Sequence, residues 1–210
     1  MKIRSAICRL LCVTMLLMAT ATANADKKKK DEAQAIDIHN VTKTQNLAFP
    51  TVPEKQRKFI ADYMLREAQN ILKQGYRVET ERQGEVVVVT IQASKLFAPN
   101  STELEVSGQK LIEPFTAYLK TAGRFKVIVA VHSDDTGSES YLNKITSERL
   151  QAVMTFLEKH SANPSQIVGY AMADSEPLRQ NSNIANRAVN RRVEIYIVPD
   201  TELIRQAGKR

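Results

Sequence analysis

The chain has 210 residues, of which 43% are hydrophobic and 25% charged, and it carries a formal charge of +7. That balance describes a globular protein with room for one well-buried domain plus extensions, and it excludes a low-complexity or intrinsically disordered chain. Both cysteines, Cys8 and Cys12, fall within the first 25 residues. The remainder therefore has no disulfide, no thiolate nucleophile and no cysteine metal ligand.

The first 25 residues have the layout of a secretory leader. Lys2, Arg4 and Arg9 give a positive start, an apolar stretch runs from Leu10 to Ala23, and Ala23-Asn24-Ala25 closes it before Asp26. The apolar part is shorter than the roughly 20 residues of a permanent spanning helix, so the expectation is cleavage and a periplasmic location, with a retained anchor as the alternative. Without these three cations the 30 basic residues fall to 27 against 23 acidic. So mild an excess does not demand an anionic partner, and no nucleic acid is expected.

Residues 26–53 are polar and aperiodic, with Lys27 to Lys30 as a basic run and Pro50 and Pro53 near their end; they read as a tether. From Glu54 to Gln74 the residues Phe59, Ile60, Tyr63, Met64, Ala68, Ile71 and Leu72 form one helical stripe, stopped by Gly75. Tyr76 to Thr80 alternates as a strand, residues 82–85 make a turn, and Val86 to Ile91 is a β-branched run typical of a buried strand. Residues 54–82 thus lead into, or pack on, a domain spanning 83–200.

A loop over residues 97–101 precedes a helical rhythm from Leu104 to Leu119 that Pro114 interrupts. Phe125 to Val131 predicts a second buried strand. Ile145, Leu150, Val153, Met154 and Leu157 predict an amphipathic helix reaching about His160. Ile167 to Tyr170 starts a further strand, a short turn or helix falls near Ala185, Val193 to Val198 is the last strand, and 201–210 is a tail. Strands alternating with helices give an α/β (α+β) sandwich, a sheet with helices packed against it. The helical connections favour right-handed crossovers.

No metalloprotease, P-loop, nucleophile-elbow or dinucleotide motif occurs, and the three histidines are isolated in sequence. The expectation is a non-enzyme that uses no cofactor. The informative segment is residues 131–138, Val-His-Ser-Asp-Asp-Thr-Gly-Ser, directly after a buried strand. By residue type alone it reads as a tight turn before it reads as a binding loop. Arg149, on the next helix, reads by itself as a solvated face residue or an ion-pair partner.

Together these segments resemble the OmpA-like peptidoglycan-binding domain family, whose pattern runs approximately G-H-T-D-x-x-G-S-x-x-Y-N-x-x-L-S-x-x-R-A. His132, Asp134, Gly137, Ser138, Tyr141 and Arg149 match in register. Gly169-Tyr170, Pro177 and the run Arg187-Ala188-Val189-Asn190-Arg191-Arg192-Val193-Glu194-Ile195 match a second family pattern. The resemblance implies a β-α-β-α-β core with a mixed sheet, preceded here by a helix and a hairpin strand. It also implies non-covalent binding of peptidoglycan at the diaminopimelate of its stem peptide. In that reading Asp134 takes the ammonium and Arg149 the carboxylate, Arg191 adds a second cation, and Ser133, Asn143 and His132 complete the site. Residues 26–82 are left to contact outer-membrane or envelope-complex proteins; they are too few to form a transmembrane barrel.

Four positions depart from the family pattern. Val131 replaces a glycine, Leu142 takes the asparagine position with Asn143 one step later, Thr146 replaces serine, and Asn186 replaces a glycine. An envelope assembly component with weakened ligand binding is the alternative these departures raise.

Overall fold

The computed structural model describes residues 50–209, so the expected leader and most of the expected tether lie outside the described residues. Helix α1, Glu54–Lys73, buries Ile60, Met64, Ala68 and Ile71 at helical spacing. Leu72, placed on the same stripe by sequence, instead faces outward. The helix ends where Gly75 adopts φ +89°, open to glycine at little steric cost.

Strand β1, Arg77–Glu81, and strand β2, Val86–Gln92, form the expected antiparallel hairpin. The turn between them is unusual. Arg82 and Gln83 both sit in the left-handed region before Gly84 does so. Helix α2, Val106–Ile112, tightens into a 3₁₀ segment, Glu113–Leu119, at Pro114, as the proline predicts. Strand β3, Phe125–His132, is followed by α3, Glu139–Glu158. This helix starts earlier than its apolar stripe because its first turn is polar and exposed, and Ser138 caps it by accepting from the Tyr141 amide at 3.3 Å.

Strand β4, Ile167–Ala173, lies parallel to β3. Helix α4, Ile184–Asn190, leads into β5, Arg192–Pro199. The sheet order is β1-β2-β5-β3-β4, with β5 antiparallel to both β2 and β3. The last strand therefore fills the gap that the β2-to-β3 crossover leaves, and the fold is a mixed α/β sandwich. The expected C-terminal tail is corrected: Thr201–Ala207 forms helix α5, capped by Asp200, with Leu203 and Ile204 buried against the core. Its apolar pair lay too near the chain end to show a period.

The main core lies between one sheet face and the helices. It holds Val87, Val89 and Ile91 of β2, Val127, Val129 and Val131 of β3, and Ile195 and Ile197 of β5, with Ile60, Met64, Val153 and Leu157 from the helices. Alternation along each strand sends the intervening residues to the other face. Among the described residues no helix is long and apolar enough to cross a membrane.

Candidate functional site

The loop after β3 is built to hold one carboxylate in place. Ser133 donates its amide to the Ala173 carbonyl at 2.6 Å, tying the loop to the end of β4. Asp134 is only 2% exposed, and its Oδ1 accepts the Thr136 amide at 2.9 Å in a side-chain-to-backbone turn. Its Oδ2 accepts the Arg191 guanidinium, which enters from the junction of α4 and β5. Burial alone would raise the Asp134 carboxyl, but the Thr136 and Arg191 contacts hold it below its ordinary value. Gly137 adopts φ +132°, and a Cβ there would meet Tyr141 Cδ1 at 2.7 Å. Only glycine fits.

Arg149 comes from the third turn of α3 and is 7% exposed. Its Nε donates to the Ser101 carbonyl at 2.9 Å and its guanidinium lies 5.0 Å from the Phe97 ring centroid. It has no carboxylate partner among the described residues. Burial lowers its pKa, and Arg191 acts in the same direction. A desolvated guanidinium with unused donors attracts a carboxylate strongly.

These groups share one cleft of about 640 Å³. Ser133, Asp134, Arg149 and Arg191 line it, together with Phe97, Asn100, Thr136, Tyr141 and Glu105. Four of the six residues singled out in the sequence are thus brought together. The other two are not. His132 is buried on the sheet, its Nε2 3.3 Å from Glu194 Oε2, and Asn143 is exposed on α3; neither lines the cleft. His132 alternates away because Val131 and His132 occupy opposite sheet faces.

Sequence reasoning missed the cleft's other wall. Tyr141 donates its hydroxyl to Asn100 Oδ1 at 3.2 Å, clasping α3 to the loop after β2, and Asn100 adopts φ +57°. Tyr141 matches the family pattern without a role attached to it, and the dipeptide Pro99-Asn100 marks only a turn. The departures from the family pattern fall outside the cleft: Val131 is core, Leu142 is buried, and Asn186 lies inside α4 with no positive φ.

A mixed sheet backed by helices, with an acid and two arginines converging where β3 ends, defines an α+β domain with a charged cleft at that end of the sheet. Residues 96–191 match the model of the OmpA family. The match runs from Leu96, in the loop after β2, through Arg191 and so includes residues of both walls of the cleft.

Two curated relatives illustrate the range. Outer membrane porin F of Pseudomonas fluorescens is 40% identical over 71 residues, 34% of this chain and 22% of that protein. Outer membrane protein A of Bordetella avium is 26% identical over 110 residues, 52% of this chain and 57% of that protein. The chain thus spans less than two thirds of either relative.

Among solved structures, a MotB-like protein from Desulfovibrio vulgaris shares the fold with a TM-score of 0.61 at 17% identity, over 69% of this chain and 98% of that one. The cell wall anchor of the type VI secretion system (T6SS) from Pseudomonas aeruginosa aligns with a TM-score of 0.53 at 28% identity, over 67% and 97%.

Proposed function

We propose that this domain binds peptidoglycan non-covalently at the free end of a stem-peptide diaminopimelate, and so tethers the outer membrane or an envelope complex to the cell wall from the periplasm. The observation that carries the reading is a buried carboxylate, Asp134, and a buried arginine, Arg149, that has no carboxylate partner among the described residues, both lining one cleft. The free end of diaminopimelate has an ammonium and a carboxylate on one carbon. Arg149 can take that carboxylate with a planar two-point fork, and Asp134 retains lone pairs for the ammonium beside Thr136 and Arg191. Ser133 and Arg191 add polar groups on the same wall.

No bond is made or broken in this scheme, and nothing in it calls for a cofactor. The similarity to a protein described as a cell wall anchor supports the reading. A single small ligand gives modest affinity, and repeated stems along a polymer raise it by avidity. Sedimentation with purified sacculi tests the proposal. The chain is expected to co-sediment and to be displaced by free diaminopimelate. Undiminished co-sedimentation of Asp134→Ala and Arg149→Lys would refute it.

A further inference from the structure

The cleft is larger than its charged grip needs. It encloses about 640 Å³, within the range of pockets that hold a whole small ligand. Asp134, Arg149 and Arg191 line one part of it and suit a single amino-acid head group. Elsewhere the wall carries uncharged residues, Phe97 and Ala98 among them, and one further acid, Glu105. Glu105 stands at the N-terminal boundary of α2, and its amide donates to the Leu96 carbonyl at 3.0 Å. Gly108, one turn on, presses against the same residue: a Cβ there would meet Leu96 Cα at 2.8 Å. The start of α2 is therefore locked to the loop that carries Phe97, the ring beside the Arg149 guanidinium. The Glu105 side chain is exposed and accepts the Ser107 hydroxyl at 3.3 Å, and no cation is paired with it among the described residues. The groups whose charge acts on Arg149 are Tyr141 and Arg191, and Glu105 is not one of them. It stands apart from the arginines and presents an unneutralised carboxylate to the cleft.

We propose that Glu105 determines which stem peptides the cleft accepts, by repelling a free carboxylate next to the gripped head group and accepting an amide N–H there. The inference rests on the diaminopimelate reading above. Diaminopimelate carries two amino-acid ends on one short chain. Gripping the free end at Asp134 and Arg149 brings the end built into the stem into the rest of the cleft. Where the stem stops at diaminopimelate, that second end bears a free carboxylate, and two like charges meet in a partly desolvated space. Where the stem runs on, or that carboxyl is amidated, the same position offers an N–H, which a carboxylate accepts well. Glu105 thus favours continued or amidated stems over stems that end at diaminopimelate.

Titration of the chain with two soluble peptides, followed by amide NMR shifts, tests this. One is L-alanyl-γ-D-glutamyl-diaminopimelate; the other is the same peptide with its main-chain diaminopimelate carboxyl converted to the carboxamide. The wild type is expected to bind the carboxamide about fivefold more tightly or better, with the ratio shrinking as salt is raised. Glu105→Gln keeps an acceptor for the N–H and removes the charge. It is expected to bring the two affinities within about twofold, by strengthening the free acid and leaving the carboxamide unchanged. A wild-type ratio near one, or a preference that survives in Glu105→Gln, overturns the inference and leaves diaminopimelate binding standing. Failure of the wild type to bind either peptide sinks the diaminopimelate reading itself, and this inference with it.

Discussion

The Asp134 carboxylate and the Arg191 guanidinium, 57 positions apart, close on each other in the wall of the cleft, with the acid side chain 3% exposed and the arginine 40% exposed. The pair matters for when the acid is charged. Asp134 sits below its ordinary pKa although burial opposes this, and Arg191 is one of the two residues that hold it there. A depressed carboxyl is fully ionised above its ordinary value, and its contribution is lost only as pH falls through the folded pKa. Wild-type sacculus binding is therefore expected to stay level from about pH 8 to pH 5. Arg191→Ala removes one depressing contact, and its acid midpoint for binding is expected at higher pH than the wild type's. Co-sedimentation across pH reads this out. Arg191 is substantially exposed but Asp134 is buried, so removal of the arginine is expected to destabilise the fold by about 1–3 kcal/mol.

Arg149 separates charge from shape. Its guanidinium holds the Ser101 carbonyl, stacks by Phe97 and leaves donors for a ligand. Arg149→Lys keeps the cation and loses the planar fork and the stacking. Sacculus affinity is expected to fall by about tenfold or more, while the unfolding free energy from urea titration falls by about 1–2 kcal/mol from the lost buried hydrogen bond. Equal binding by the lysine variant would show that Arg149 supports the loop and does not grip a carboxylate.

How far the sequence reaches can be seen residue by residue. The β-branched run after Glu85 declared β2, and the stripe from Ile60 to Ile71 declared α1, because each period is set by neighbours along the chain. The place of β5 between β2 and β3 was not legible, since strand order is decided by contacts remote in sequence. Asp134 and Arg149 were legible through a patterned motif. The clasp from Tyr141 to Asn100 was not, because a contact across 41 positions leaves no local period. His132 was assigned to the site from the motif, but strand alternation turns it to the other face, beside Glu194.

Gly137 tests the loop without touching a charged group. Its φ of +132° is unfavourable for any L side chain, and a Cβ would press on Tyr141. Gly137→Ala is expected to cost about 1–3 kcal/mol by chemical denaturation. It should also weaken sacculus binding, because the strain falls between Asp134 and the Ser138 cap of α3. Gly75→Ala offers a control: it also has a positive φ, but its Cβ would meet nothing within 4 Å and it lies far along the chain from the cleft. That variant is expected to lose stability and leave binding unchanged once folded.

Glu194 should set the acid limit of the fold. It is buried on β5, where Arg192 Nε donates to it at 2.7 Å, Tyr196 donates its hydroxyl at 2.7 Å, and His132 Nε2 approaches at 3.3 Å. Desolvation pushes its carboxyl up, but His132 and Arg192 outweigh this and bring it to about 2 from an ordinary 4.5. The sign follows directly. An acid depressed on folding stabilises fully above its unfolded pKa, and the contribution drains away as pH falls from about 4.5 towards 2. The loss is on the order of 3 kcal/mol. Glu194→Gln is expected to flatten stability over that window in urea titrations. It should also destabilise the protein at neutral pH, by roughly 3–5 kcal/mol, because Arg192 is then left buried without its anion. A Gln variant that keeps both the wild-type acid slope and its neutral stability would show that this buried cluster does not govern the acid transition.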